Sequence, residues 1–237
     1  RYNFDIVPQF DTPDFRQLLH DLIREQQPSP HSLKQDIVTS VWRIEVPHQT
    51  GTHSLIVKRY NTQNLWHTIR RSFRQSRAEN CWKLTQLFDD SGLRVAPRVA
   101  VIQEWWGPFK QRSWFVNQYM SSVDLLGYLI DPLSPGREAS RLSELVSEMS
   151  DIFKRLKQHR LSHGDMKATN ILLCNGNLFL IDLDAAQQHR YGFTLKRARR
   201  KDRRRFMKNW RDQPEIYAAF DIIDRPQEHG THALADP

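Results

Sequence analysis

The chain contains little of what a disulfide-stabilised or membrane-spanning protein needs. Only two residues are cysteines, Cys81 and Cys174, and no apolar run approaches the roughly 20 residues that cross a bilayer. Two cysteines far apart, without the spacing of a metal site, are typical of reduced thiols in a cytoplasmic protein. The first residues also lack a signal-peptide pattern. We therefore expect a cytoplasmic protein.

Acidic residues are in the minority. The 237 residues include 35 lysines and arginines against 27 aspartates and glutamates, which gives a formal net charge of +8. This imbalance favours anionic partners such as nucleic acid, phospholipid headgroups or phosphorylated glycans, but it does not choose among them. Much of the excess lies in one dense basic segment, residues 196–205, with Lys208 and Arg211 just beyond it.

The most informative segment that the chain does have is 163–170, His-Gly-Asp-Met-Lys-Ala-Thr-Asn. Phosphoryl transfer needs a carboxylate for the attacking hydroxyl, an amide oxygen and a second carboxylate for magnesium, and a cation near the moving phosphate. The chain offers these four groups, in that order, at Asp165, Asn170, Asp182 and Lys167. The pattern therefore predicts a kinase catalytic loop, with Asp165 and Lys167 in catalysis and Asn170 and Asp182 as ligands of Mg²⁺.

The spacing between the loop and Asp182 has a geometric reason. Residues 171–173 and 178–181 are two short apolar runs, and Asn175-Gly176 between them is a strong signal for a β-hairpin. Such a hairpin would return antiparallel and deliver Asp182 beside the loop. A chance tripeptide next to an ordinary hairpin is the plain alternative, but loop, hairpin and terminal carboxylate in one register argue against it.

Periodicity along the rest of the chain predicts an α+β protein with two lobes. The predicted strands are 38–46, 54–60, 98–104 and 114–120, and the predicted helices begin after Thr12, cover about 77–88, and run along the apolar stripe 142–156. We expect an N-terminal helical extension over residues 1–30, an antiparallel sheet with a helix over 31–120, and a small, mainly helical lobe over 121–237.

Four residues of the first lobe would complete a nucleotide site. Lys58 follows an apolar strand, from which its ammonium could reach phosphates, and Glu79 on the next helix is the best candidate to hold it in an ion pair. The strand 114–120 leads into the connector between the lobes, where Gln118 and Met120 would offer backbone groups to adenine. Taken singly, these residues could equally be surface positions and an ordinary strand end.

Two features depart from the protein-kinase pattern. Residues 34–40, where a glycine-rich phosphate loop would lie, contain no glycine, so Lys58 and the metal would have to hold the phosphates, with Lys34 as a further candidate. Leu183-Asp184 follow Asp182 in place of Phe-Gly, and the flexible glycine of an activation switch is therefore absent. Asp184 could be a second metal ligand, a substrate contact or a structural hydrogen-bond acceptor.

Together these residues resemble the bacterial lipopolysaccharide core kinases, the heptose and 3-deoxy-octulosonic acid kinases with a protein-kinase-like fold. The similarity covers about residues 34–210 and is carried by 56–60, 77–79, 163–170, 180–184 and the basic helix with Asp202 and Arg205-Phe206. It implies ATP- and Mg²⁺-dependent phosphorylation of a sugar hydroxyl in the inner core, at the cytoplasmic side of the inner membrane. It also implies that Asp165 is the base and that Lys58 and Glu79 form the phosphate-binding ion pair.

Basic surfaces would suit an anionic acceptor and an anionic membrane surface. The candidates are Arg70, Arg71, Arg74 and Arg77 and the basic segment 196–205. Three alternatives remain open: a serine/threonine protein kinase, a small-molecule kinase, and a non-catalytic nucleic-acid-binding protein that uses the basic segment with Phe206 and Trp210. Nucleic acid is the least expected partner, because apolar residues in that segment fit a docked helix.

Overall fold

The computed structural model describes residues 1–24, 32–35, 39–48, 51–61, 75–131, 133–134 and 138–224, with the backbone alone for 32–35 and 48. The strands are β1 (Tyr2–Ile6), β2 (Ser32–Gln35), β3 (Thr39–His48), β4 (Gly51–Tyr60), β5 (Arg98–Trp106), β6 (Phe109–Gln118), β7 (Val123–Asp124), β8 (Leu161–Ser162), β9 (Ile171–Cys174), β10 (Asn177–Leu180) and β11 (Gln187–Gln188). The α-helices are α1 (Pro13–Arg24), α2 (Arg77–Asp90), α3 (Leu125–Ile130), α4 (Ala139–Gln158), α5 (Gly192–Lys208) and α6 (Pro214–Phe220). Short 3₁₀ helices cover Pro8–Phe10, Ala168–Asn170 and Leu183–Ala185.

The first six strands form one antiparallel sheet in the order β1-β5-β6-β4-β3-β2. A helix covers each face of this sheet. Trp114 and Val116 of β6 pack with Leu19 of α1, whereas Phe115 between them packs with Cys81 of α2. Successive side chains of a strand point to opposite faces, so β6 supplies both cores at once. The α+β class predicted from the sequence is confirmed.

The opening segment is tied to this sheet. α1 begins as predicted, with the Thr12 hydroxyl accepting from the backbone N–H of Phe15 at 3.2 Å and with Pro13 in the first turn. β1, which pairs with β5, was not predicted from the sequence, although its apolar residues alternate with Asn3 and Asp5 in a strand pattern. The predicted domain division at residues 30 and 120 stays a prediction.

Four strands of the sheet, β3 to β6, extend beyond their predicted bounds at one end. β3 and β4 stay paired beyond Pro47 and Thr52, as far as His48 opposite Gly51, so these residues belong to the ladder and not to the predicted turn. A proline is tolerated near the end of a ladder, where its missing N–H costs little. β6 begins at Phe109 instead of Trp114. The polar residues between them pair with β5, but they show no apolar alternation from which a strand could be predicted.

The second lobe is built around α4. Its buried side chains include Met149 and Phe153, and Phe153 lies 6.1 Å from the ring of Phe206 on α5. Phe206 in turn contacts Trp210 and Phe220, and all three rings are fully buried. The basic helix α5 is therefore docked by an apolar face, as predicted. No helix in the described ranges has the length and apolar character to traverse a bilayer.

The predicted hairpin is formed by β9 and β10, which pair antiparallel from Cys174–Asn177 to Ile171–Leu180. Asn175 and Gly176 at its tip both have positive φ, +48° and +80°, which is the backbone of a two-residue type I′ turn. Just beyond the hairpin, the backbone N–H of Ile181 donates to the carbonyl of Asn170 at 3.0 Å. The strand end before Asp182 is thereby fixed to the predicted catalytic loop.

Buried polar groups hold the start of that loop. The His163 backbone N–H donates to the carboxylate of Asp202 on α5 at 2.8 Å, and the His163 ring Nε2 donates to the carbonyl of Ile181 at 3.0 Å. Gly164 has a φ of +80°, and a Cβ there would lie 2.1 Å from the carbonyl oxygen of Ala185. Only glycine fits this position without moving backbone.

Burial also changes the proton affinity of both side chains. The His163 ring is completely buried, which lowers its pKa to about 4. Burial raises the pKa of Asp202 to about 6, although three backbone N–H groups of the loop act in the opposite direction. At neutral pH the imidazole is therefore neutral, and a neutral ring can donate from Nε2 while Nδ1 accepts the N–H of Asp165, at 3.4 Å.

We predict that His163→Gln will flatten the dependence of the unfolding free energy on pH. The folded pKa of about 4 lies below the ordinary value of 6.5, so the unfolded state binds the proton more tightly. The histidine contribution is therefore complete above pH 6.5 and is lost as the pH falls towards 4, by roughly 3 kcal/mol. Urea unfolding of both proteins across this range measures the difference.

Asp202 acts in the opposite sense over part of this range, because its folded pKa of about 6 exceeds the ordinary 3.8. Its contribution is present below 3.8 and is lost as the pH rises through 6. It is common to the wild type and the variant, so it cancels in the comparison. Parallel pH profiles for the two proteins would contradict the assignment of a buried neutral ring.

Candidate active site

A cavity of about 310 Å³ lies between the sheet and the second lobe. Its walls are mainly apolar and come from both sides: Val41, Ile56, Val95, Ala96, Phe115, Leu172 and Leu180. Its polar end carries Lys58 from β4 and two carboxylates, Asp182 and Asp184, from the segment after β10. A mainly apolar cavity with charged groups at one end suits the binding of a nucleotide.

The connector between the lobes forms another edge of this cavity. Gln118 and Met120, the residues predicted to meet adenine, both line it. The backbone is held in place because the N–H of Gln118 donates to Pro97 at 2.8 Å and the N–H of Tyr119 donates to Ser54 at 2.9 Å. The carbonyl of Gln118 accepts from the side chain of Asn117 at 3.0 Å, and a carbonyl oxygen has two lone pairs. Their contact with adenine stays a prediction.

Lys58 reaches across the cleft from the sheet. Its Nζ lies 2.8 Å from Oδ1 of Asp182 and 3.8 Å from Oδ1 of Asp184. Burial opposes the charge on this ammonium, but the two carboxylates outweigh burial and raise the pKa of Lys58 above its ordinary value. The lysine is therefore a largely buried, fully charged cation that points at the carboxylates of the other lobe.

The predicted ion pair between Lys58 and Glu79 is wrong. The Glu79 carboxylate instead lies 2.6 Å from Nζ of Lys110 and accepts the backbone N–H of Ser76 at 2.7 Å. Ser76 and Glu79 form a reciprocal capping box at the start of α2. The spacing Ser76-x-x-Glu79 is a recognised signal for this cap, so the sequence contained the information that placed Glu79 at a helix end.

Asp184 lies where α2 and β4 approach the second lobe. Its Oδ1 accepts from the hydroxyl of Tyr60 at 2.6 Å and from the thiol of Cys81 at 3.1 Å. Its Oδ2 accepts from Arg77 at 2.8 Å. The sequence left three roles open for Asp184: metal ligand, substrate contact and structural hydrogen-bond acceptor. The structure shows it as a hydrogen-bond acceptor.

The proton affinities around Asp184 match this arrangement. Burial raises the pKa of its carboxyl, but Lys58 and the three donors outweigh burial, and the pKa is lowered. Burial raises the pKa of the Cys81 thiol to about 12 and also raises the pKa of Tyr60. Both groups therefore keep their protons at neutral pH and act as donors to an ionised carboxylate.

The loop residues gather around Asp165. The Asn170 amide donates to the Asp165 carbonyl at 2.9 Å, and Nζ of Lys167 lies 3.1 Å from Oδ2 of the same residue. Because the Asn170 carbonyl also accepts from Ile181, the residue before Asp182, the predicted catalytic and metal-binding groups occupy one neighbourhood. The convergence expected from the hairpin register is present.

A further cation at Asp165 was not identified as a site residue from the sequence. The guanidinium of Arg205 on α5 bonds to Oδ1 of Asp165. Arg205 lies one turn from Asp202, which also faces the loop, and a three-residue separation puts both side chains on one face of a helix. The three-residue spacing of Asp202 and Arg205 could have indicated that both face the loop, but Arg205 lies within a run of basic residues and did not stand out. Asp165 is thus held between Arg205 and Lys167.

Two of the predicted metal ligands suit magnesium. Within the described ranges, no group of three or more histidines, cysteines or acids is arranged around a common metal position. Magnesium is usually held by one or two carboxylates together with water and substrate phosphates. Asp182, whose side chain is 42% exposed, and Asn170 beside it fit that requirement.

Two kinds of comparison with known proteins give matches, one with family models and one with solved structures. The family model described as the lipopolysaccharide kinase (Kdo/WaaP) family matches residues 33–219. A solved structure, "WaaP in complex with acyl carrier protein", superposes with a TM-score of 0.64 over 94% of this chain and 90% of that chain, at 19% sequence identity. No curated protein sequence matches.

The structural likeness confirms the kinase-like fold, and the family match extends over most of the chain. The resemblance inferred from the sequence is therefore correct. The chain belongs to the lipopolysaccharide kinase (Kdo/WaaP) family and is a phosphotransferase.

Proposed function

We propose that this protein transfers the γ-phosphoryl group of ATP to a sugar hydroxyl, of heptose or 3-deoxy-octulosonic acid, in the inner core of lipopolysaccharide. One observation carries the proposal: Lys58 of the first lobe meets Asp182 of the second at 2.8 Å, at the polar end of the cavity between them. The family supports a lipopolysaccharide acceptor. The choice between the two sugars is the part that needs experiment.

The site residues would divide the work as follows. Asp165 accepts the proton of the attacking hydroxyl, and its position is kept by Lys167 and Arg205. Lys58 binds the α and β phosphates once nucleotide displaces its contact with Asp182. Magnesium, when bound by Asn170 and Asp182, would neutralise charge on the phosphates. Gln118 and Met120 offer backbone groups to adenine at the cavity edge.

The surroundings of Asp165 also bear on the acceptor. Lys167 and Arg205 are both about half exposed beside the carboxylate. Two exposed cations next to the base favour an acceptor that carries phosphate or carboxylate groups, as an inner-core sugar does. They disfavour the cationic acceptors of small-molecule kinases of the aminoglycoside or choline type. A serine/threonine protein kinase would use the same catalytic groups. The two functions differ in the acceptor of the phosphate, which is a protein in one case and a lipopolysaccharide sugar in the other.

The test is a labelled-ATP transfer assay with three acceptors side by side: purified core lipopolysaccharide, a generic protein substrate and a small neutral sugar. We expect label in the lipopolysaccharide, and we expect Asp165→Asn to lower the rate by at least roughly 100-fold, as loss of a general base does. ATP binding should change little, because Asp165 lies outside the nucleotide cavity.

The matched control is Asp151→Asn, which neutralises an exposed carboxylate on α4. It should transfer phosphate at the wild-type rate. Wild-type turnover by Asp165→Asn would refute the base assignment, and preferential labelling of the protein acceptor would refute the proposed substrate class.

A second basic region suits a membrane-facing role. A groove of about 750 Å³ runs along α5 between the end of α4 and α6. Its cationic lining residues are Lys157, Lys196, Arg199, Arg200, Arg203, Arg204, Lys208 and Arg211. Arg199 and Arg203 are tied to Asp224 and Asp221. These two arginines and Arg205 are therefore engaged in ion pairs within the protein. They do not belong to the basic surface that was predicted from the sequence.

The remaining cations of the groove are exposed. Within the described part of the chain, no acidic side chain forms an ion pair with Lys196, Arg200, Arg204, Lys208 or Arg211. Arg77, the other candidate, is bound to Asp184, and Arg70, Arg71 and Arg74 lie outside the described residues. We propose that the groove cations contact the anionic inner-membrane surface. Each such residue near a charged bilayer contributes about 1 kcal/mol.

Arg200→Gln with Arg204→Gln should therefore weaken binding to vesicles containing anionic phospholipid by roughly tenfold or more. The matched control is Arg197→Gln with Lys201→Gln, which removes the same charge from exposed α5 positions outside the groove. Vesicle flotation measures the difference.

An equal loss of vesicle binding in the two double variants would contradict a specific role of the groove. It would mean that only the net charge of the protein matters. An acyl carrier protein, the partner named for the WaaP structure, is included as a competitor. If it binds the groove and vesicles do not, the membrane proposal is wrong.

A further inference from the structure

We infer that Asp184, and not Glu79, is the carboxylate that positions Lys58 and couples it to helix α2. This inference rests on the proposed ATP site. In protein kinases a glutamate of the corresponding helix holds the phosphate-binding lysine, so the helix must be in place for activity. In this protein that helix residue is engaged elsewhere, and a carboxylate from the opposite lobe reaches the same lysine.

Glu79 is unsuited to the role because its carboxylate is already committed. It closes the capping box with Ser76 and lies 2.6 Å from Lys110. Both contacts are on the N-terminal end of α2 and on β6, within the first lobe. Moving Glu79 to Lys58 would break the cap and leave the largely buried ammonium of Lys110 without this partner.

Asp184 has the contacts that Glu79 lacks. Four side chains of the first lobe converge on its two oxygens: Lys58 and Tyr60 from β4, and Arg77 and Cys81 from α2. Arg77 also stacks over the ring of Tyr60, with the guanidinium 4.6 Å from its centroid. A single carboxylate thus joins the strand that carries the lysine to the helix beside it.

The same geometry argues against Asp184 as a metal ligand. Its side chain is only 18% exposed, compared with 42% for Asp182. Both of its oxygens point at donors of the first lobe, and the charge of Arg77 is paired with Oδ2. A cation placed there would have to replace hydrogen bonds from Tyr60 and Cys81 in addition to this ion pair.

Asp184 belongs to the second lobe, whereas Lys58 and helix α2 belong to the first. The ion pair and hydrogen bonds that position Lys58 are also contacts between the two lobes. Separation of the lobes would therefore release the lysine and α2 together. Asp184 is in this sense a positioning residue whose effect on ATP binding depends on the closed cleft.

The test compares Asp184→Asn with Glu79→Gln, two isosteric changes that each remove one negative charge. We expect Asp184→Asn to weaken binding of a magnesium–ATP analogue at least tenfold and to raise the KM for ATP, and we expect Glu79→Gln to stay within about twofold of the wild type. Mg²⁺ dependence at saturating ATP should be unchanged by Asp184→Asn. Tyr60→Phe, which keeps the carboxylate but removes one donor, should give a smaller loss of the same kind.

Each contrary result is informative. Unaltered ATP affinity in Asp184→Asn, or an equal loss in Glu79→Gln, overturns the inference, and a raised Mg²⁺ requirement would make Asp184 a metal ligand instead. A variant that only unfolds more easily would assign Asp184 a purely structural role. If Asp184→Asn does not fold, the Tyr60→Phe result decides, and wild-type ATP affinity there overturns the inference.

A readout without nucleotide separates this inference from the proposed function. Acylation of Lys58, followed by mass spectrometry of the nucleotide-free protein, should be several-fold faster in Asp184→Asn than in the wild type or Glu79→Gln, because the amine then keeps only one of its two carboxylate partners, Asp182. A wild type that binds no ATP would refute the proposed function, while the labelling rates would still test the role of Asp184. Equal labelling in all three proteins overturns it.

Discussion

The contact of Lys58 with Asp182 and Asp184 is the interaction on which the rest of the site depends. The lysine belongs to a sheet and the carboxylates to the segment after a hairpin of the other lobe. An ammonium this buried is stable only beside negative charge. The closed cleft, the charged lysine and the two carboxylates therefore require one another, and the nucleotide cavity is the space that this contact closes at one end.

The loop that carries Asp165 is held by groups that have no part in the chemistry. A neutral His163 ring, the Asp202 carboxylate and the close approach of Gly164 to Ala185 fix its backbone from three directions. Buried polar groups of this kind are stable only when they are hydrogen-bonded, so they specify one conformation. α5 contributes twice, because Asp202 anchors the loop backbone and Arg205 contacts the base itself.

The local parts of the site were predictable from sequence. The hairpin turn at Asn175-Gly176 and the convergence of loop and strand end follow from short-range rules, since turn chemistry and strand register depend on neighbouring residues. The partner of Lys58 was not predictable in the same way. Glu79 was assigned to it by analogy with kinases, whereas the pairing depends on which carboxylate of another lobe arrives within reach.

Two other errors have the same origin. The basic segment was interpreted as one surface, but a helix distributes its side chains all round, and Arg199, Arg203 and Arg205 turn out to serve different ion pairs. β1 was missed because its five residues gain their strand partner about a hundred positions later, in β5. The alternating pattern of β1 was present, but five residues do not reveal a strand partner that far along the chain.

A crystal structure with magnesium and a non-hydrolysable ATP analogue would test the central claim most directly. The account predicts adenine against the connector at Gln118 and Met120, the metal on Asn170 and Asp182, Lys58 on the phosphates, and Asp184 still bonded to Tyr60 and Arg77. A nucleotide bound outside the cleft, or a Lys58 ammonium that points away from the phosphates, would contradict it.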